Sequence, residues 1–69
     1  MVVKQWTYKE YRIVLNLLNG SYHSSITASG YLEELSYTPV VEMKHGEAAA
    51  QAAAEKFIDE RLERKSTAP

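Results

Sequence analysis

Asn19-Gly20 stands between two runs in which apolar and polar residues alternate, "YRIVLNLL" and "SYHSSITA". A two-residue type I′ turn needs positive φ at both of its positions, and Asn-Gly accepts that readily, so the pair predicts a β-hairpin. Counting outward from the turn sets the pairing. Leu18 meets Ser21, Leu17 meets Tyr22, Leu15 meets Ser24, Ile13 meets Ile26 and Tyr11 meets Ala28. Successive side chains on a strand point to opposite faces. One face therefore gathers Tyr11, Ile13, Leu15, Leu17, Tyr22, Ile26 and Ala28, and the other holds Arg12, Val14, Asn16, Leu18, Ser21, His23, Ser25 and Thr27. That is the pattern of a sheet covered on one side and wet on the other.

The preceding "QWTY" extends the same plan. A tight connection at Lys9-Glu10 pairs Tyr8 with Tyr11 and Trp6 with Ile13 on the apolar face, and leaves Gln5 and Thr7 on the polar one. Lys-Glu is poor chemistry for a primed turn, so a bulge or a slightly longer bend is the alternative. Three strands are expected, over 3–8, 11–18 and 21–29. Beyond Gly30, alternation of Leu32 with Glu33 and of Leu35 with Ser36 predicts a fourth short strand ending before Pro39, since the residue ahead of a proline is pushed toward extended backbone. A helical turn in "YLEELS" competes with that reading, and "VVEM" reads as further strand or ordered loop.

From about Glu47 the apolar period changes to 3.6. Ala50, Ala54, Phe57, Ile58 and Leu62 share one face of a helix, with Glu55, Asp59 and Glu63 placed opposite. Glu47 suits the first turn and Arg64 with Lys65 the last, each complementing the helix dipole. Alanine is the best helix former, and small residues let the helix sit close over a sheet crowded with aromatic rings. That accounts for Ala50 and Ala54 but not for Ala48, Ala49 and Ala52, which turn away from Ile58. Those fill a solvated face by propensity or form a small-residue seam for a second copy's helix. Residues 1–65 form a single small domain, with 66–69 as a flexible tail.

The chain has 69 residues, no cysteine, and a net charge of −1 from eight basic and nine acidic residues. A domain of this size buries only about 60% of its unfolded surface and usually needs a staple. Disulfides and thiolate metal sites are excluded, and His23 with His45 cannot close a zinc site alone. Self-association is the staple that remains. The near-neutral balance counts against a protein devoted to neutralising phosphates. With no apolar run of signal-peptide or membrane-spanning length, the expectation is a cytoplasmic protein that does not enter a membrane.

No constellation carries recognisable chemistry. His23 and Ser24 point to opposite faces, and His23 with Ser25 lacks an orienting acid. Glu33, Glu34, Glu42 and His45 match no metal-ligand spacing and read as a solvated acidic edge. The three glycines make no phosphate loop. Trp6, Tyr8, Tyr11 and Tyr22 fall on the covered face, whereas a base-stacking platform needs its rings on the open one.

The opening "WTYKEYRI" with the closing "EAAAQAAAEKFIDERL" resembles small bacterial domains of uncharacterised function, in which an aromatic hairpin leads through a variable middle to an "EEA…A…FID" helix. The likeness covers both ends but not residues 14–45, and it implies a fold rather than an activity. "KHGEAAAQAAAEKFIDERL" is similar to the last helix of double-stranded-RNA-binding domains, which implies nucleic-acid binding. Here Lys44 and His45 stand where that family has a lysine cluster, Glu47 occupies the phosphate-docking helix start, and the family's leading helix is absent. The strand-then-helix order also resembles HicB-type antitoxin domains.

The expected fold is α+β, a three- to four-stranded antiparallel sheet with one C-terminal helix packed on one face. The expected role is a non-catalytic protein-interaction or regulatory module, self-associating as a homodimer and without catalytic residues, cofactor or metal. The alternative is a nucleic-acid-binding domain, which the charge balance disfavours. Val14 and Leu18 are apolar on an otherwise polar face, and with Arg12, His23, Ala48 and Ala52 they make up the candidate interaction surface; Val40 and Val41 extend the apolar patch.

Overall fold

The computed structural model describes residues 1–28 and 34–66. The chain runs through β1 (Val2–Tyr8), β2 (Tyr11–Leu18), β3 (Ser21–Ala28), β4 (Val40–Glu42), a 3-10 turn (Met43–His45) and α1 (Glu47–Ser66). The strands form one antiparallel sheet in sequence order, and α1 packs across one face. This is the expected α+β arrangement.

Both hairpins turn on two residues with positive φ. Asn19 and Gly20 stand at 49° and 76°, and every pair counted outward from them is present, from Leu18·Ser21 to Tyr11·Ala28. Lys9 and Glu10 adopt the same conformation at 47° and 68°, so the first hairpin is as tight as the second. The longer bend does not form there. The bulge lies instead at the far end of β1, where Val2 pairs with Asn16 and Lys4 with Leu15, leaving Val3 over. Left-handed backbone costs an ordinary L-residue about 1–2 kcal/mol. The packing of β1 against its neighbours holds Lys9 and Glu10 in place regardless.

Parity then sorts the side chains. Tyr11, Ile13, Leu15, Tyr22, Ser24 and Ile26 are buried under α1, which contributes Ala50, Ala54 and Ile58. Ile13, Leu15, Ile26 and Ile58 are enclosed, each worth about 1.5–3 kcal/mol of transfer free energy. Trp6 and Tyr8 are half-buried at the border of this core. Ala50 and Ala54 lie where helix meets sheet, and their lack of bulk is what allows the close approach.

The fourth strand falls on "VVEM", as one reading of that stretch has it, and not on the segment before Pro39. It follows Pro39 rather than ending before it. Proline has no N–H to give to a ladder and is tolerated at a strand start or a sheet edge. Glu34 makes an isolated bridge to Thr27, and the Leu35 N–H donates to the Ile26 carbonyl at 2.8 Å, so pairing begins before Pro39 as the Leu35–Ser36 alternation suggested. It then breaks. Six residue steps separate Glu34 from Val40 where only four separate Thr27 from His23, and the two extra residues leave the ladder at Ser36 and Tyr37. The Thr38 hydroxyl donates to the Ser24 carbonyl at 2.7 Å before His23·Val40 resumes the pairing. Leu32 and Glu33, with the first half of the competing helical turn, lie outside the described residues. So does tail segment 67–69, while Ser66, placed in the tail by sequence, closes α1.

Glycine at position 10 would remove the left-handed penalty on an exposed residue, and Glu10→Gly should raise stability by about 0.5–1 kcal/mol in denaturant unfolding. Ala54→Leu should lower it by about 1–3 kcal/mol, because no space exists between α1 and the sheet for three more carbons.

Candidate functional site

The face of the sheet away from α1 is covered by none of the described elements. The register places the row Val2·Asn16·His23·Val40 across all four strands, with Leu18·Ser21·Glu42 beside it. On the other side of that row come Gln5·Val14·Ser25, then Thr7·Arg12·Thr27. Val2, Leu18 and Val40 are 51%, 49% and 58% exposed, high values for aliphatic side chains on one surface. Val14 and His23 are half-buried within it, and Arg12 is exposed. None of the ion pairs among the described residues includes Arg12. Among the described residues, the paired rows of this face hold no phenylalanine, tyrosine or tryptophan.

Four of the six residues singled out by sequence, Arg12, Val14, Leu18 and His23, therefore share this open face. Ala48 and Ala52 do not join them. Both are exposed on α1, in the layer behind the opposite face of the sheet, so the six residues form two surfaces. Val41 separates from Val40 in the same way, pairing with Tyr22 and packing into the core beneath α1.

A second polar constellation joins β1 to α1. Lys4 donates through Nζ to Oε1 of Gln51, Trp6 through Nε1 to Oε2 of Glu55 at 3.1 Å, and the Tyr8 hydroxyl to the Asp59 carboxylate at 3.0 Å. Lys9 adds an ion pair to Asp59 at 2.7 Å, and its ammonium lies 5.3 Å from the centre of the Tyr8 ring. The Lys4 ammonium sits 5.4 Å from the Trp6 ring in the same manner. The ladder works because its steps match. Two strand residues advance about 6.8 Å and four helix residues about 6.0 Å, so 4, 6 and 8 on β1 keep pace with 51, 55 and 59 on α1.

This seam corrects the placement of Glu55 and Asp59 on the far side of the helix. Each follows a buried residue, Ala54 or Ile58, and one step turns a helix by only about 100°. They stand on the flank, where edge strand β1 reaches them. The signal was present in the sequence as two matched stripes, one at spacing two and one at spacing four. The hydrogen bonds fix the charges. Lys9, with Tyr8, holds the Asp59 carboxyl below its usual range, and Asp59 in turn raises the Lys9 ammonium and the Tyr8 phenol above theirs.

Among the described residues no group of three or more His, Asp or Glu could hold a metal ion, and no helix is long and apolar enough to cross a membrane. Comparison with protein-family models, curated proteins and solved structures gives no match.

The seam makes stability depend on pH in a defined sense. A depressed Asp59 contributes above the ordinary carboxylate range and loses its contribution as pH falls through that range and then through its own lower value. Raised Lys9 and Tyr8 contribute below their ordinary values and lose that as pH climbs through the raised ones. Denaturation midpoints should be flat from about pH 5 to about pH 9 and fall on either side. Asp59→Asn should shrink both slopes, which urea titrations across pH will read.

Proposed function

We propose that this chain is a non-catalytic protein-interaction module that self-associates through its open sheet face. The carrying observation is the set of exposed aliphatic side chains at Val2, Leu18 and Val40, arranged on one surface around Asn16 and His23. Scattered exposed aliphatics need no explanation, but a cluster on one flat face marks a contact surface.

The area suits a modest homodimer. Strands of seven, eight, eight and three residues, rising about 3.4 Å per residue and spaced by about 4.8 Å, offer roughly 420 Å² per copy, hence about 850 Å² for two. That falls in the range of weak, reversible contacts. The centre of the face is uncharged, so two copies can meet there without opposing like charges. Its charged residues in the paired rows are Arg12 and Glu34, which share the row through Thr27 at one margin, and Glu42 at the other, already paired with Lys44 at 3.2 Å. Among the described residues, the lack of large aromatic rings in the paired rows counts against nucleic-acid stacking, and a single cation there counts against phosphate binding.

Sedimentation at tens of micromolar tests the reading. A dimer is expected, and the double substitution Leu18→Glu with Val40→Glu should weaken it by at least about tenfold while leaving the fold intact, since both side chains are half exposed. A clean 7.8 kDa monomer for the unaltered chain would end the proposal.

A further inference from the structure

The two edges of the sheet are finished differently. β4 has three residues, follows Pro39, and continues a ladder already broken at Ser36 and Tyr37. Short strands, prolines and bulges are the features that discourage another strand from adding. β1 runs for seven residues without a proline, and "VVKQWTY" is rich in residue types that favour extended pairing. Lysines commonly guard such an edge. Here they are drawn off it, Lys4 onto Gln51 and Lys9 onto Asp59.

The direction of the backbone groups follows from the ladder. Tyr8·Tyr11 closes a two-residue turn and so exchanges both of its hydrogen bonds. Met1 and Leu17 do the same, at 2.8 and 3.3 Å. Odd-numbered residues of β2 therefore bond to β1, and Lys4, Trp6 and Tyr8 answer them. The N–H and C=O groups of Gln5 and Thr7 point the other way, to the outer edge, where no described strand pairs with them. A shallow cavity of about 300 Å³ lies beside them, lined by Gln5, Trp6, Thr7 and Arg12.

We infer that this edge receives β1 of a second copy, added antiparallel about a two-fold axis at Gln5. Gln5 is the midpoint of Val2–Tyr8, so this register overlaps the whole strand. It places Gln5 against its own mate and Lys4 against the partner's Trp6. The charges agree. Trp6 donates to Glu55, so each Lys4 ammonium arrives beside a carboxylate of the other copy. On the open face β1 contributes only Val2, Gln5 and Thr7, none of them charged. The contact is independent of the face-to-face one, and it merges two open faces into one longer surface.

Amide hydrogen exchange, measured by NMR at about 20 µM and about 1 mM, separates the two contacts. In the unaltered chain, and equally in Leu18→Glu with Val40→Glu, the Gln5 and Thr7 amides should gain at least about tenfold protection at the higher concentration. Gln5→Lys sets two ammonium groups at the axis, and Thr7→Pro removes an outward N–H that β2 does not use. Each should abolish the gain. The inference is overturned if both amides exchange equally at the two concentrations, or if the concentration-dependent protection survives at positions 5 and 7 in Gln5→Lys or at Gln5 in Thr7→Pro. It also falls, leaving the face-to-face reading intact, if Leu18→Glu with Val40→Glu alone removes the protection.

Discussion

With a side-chain period of two, a strand displaced by one residue exchanges every inward side chain for an outward one. The turns at Asn19-Gly20 and Lys9-Glu10 remove that freedom, because two-residue loops leave no slack in the register. Ile13 then meets Ile26 and Trp6 meets Ile13, and the branched side chains of the core stack in line beneath the helix. The open face is defined by the same parity. Val2, Leu18 and Val40 are outside for the reason that Leu15, Tyr22 and Val41 are inside. Val2 owes its position to the bulge at Val3, without which it would stand opposite Leu17 and beneath α1.

Helix and sheet meet through complementary bulk. The sheet supplies branched and aromatic side chains, the helix supplies Ala50 and Ala54, and a larger residue on either side would hold the layers apart. Close approach brings the flank of α1 within reach of β1, and the seam forms there. Trp6 and Tyr8 serve twice, with their rings against the core and their polar ends on Glu55 and Asp59. The arrangement satisfies an indole N–H and a phenol hydroxyl that burial alone would leave without partners.

The hairpins and the helix were legible in the sequence because each rests on local chemistry, a turn dipeptide or an unbroken 3.6 period. Residues 34–42 were harder. The path there depends on Thr38 and Pro39 adapting to the edge of β3, which is tertiary, and the extra residues at Ser36 and Tyr37 obey no period. Tyr37 is 95% exposed with φ of 60°, an unusual conformation for a bulky side chain that no local pattern announces. For the surface, sequence located Arg12, Val14, Leu18 and His23 on one face but grouped them with Ala48 and Ala52, since a list of uncommitted residues does not record which layer each occupies. The seam was missed for a narrower reason. Residues one step from a helix's buried line lie at its flank, not on its far side.

Stability and the proposed association would draw on the same side chains. Lys4 and Lys9 would protect β1 if they extended past its edge, but they bond to Gln51 and Asp59, which secures the helix and turns both ammonium groups toward α1. A chain of 69 residues with no cysteine has few other ways to gain stability. Any contact that only the folded form can make adds to its stability by mass action, in proportion to the logarithm of concentration over the dissociation constant. A partner strand on β1 would bond to peptide groups that are positioned outward only when the hairpins are formed, and a partner face on Val2, Leu18 and Val40 would cover side chains that are adjacent only when all four strands pair. Each contact therefore selects the folded chain. The seam that fastens α1 thus also leaves in place the edge to which the proposed partner strand would add, and that addition would stabilise the fold further.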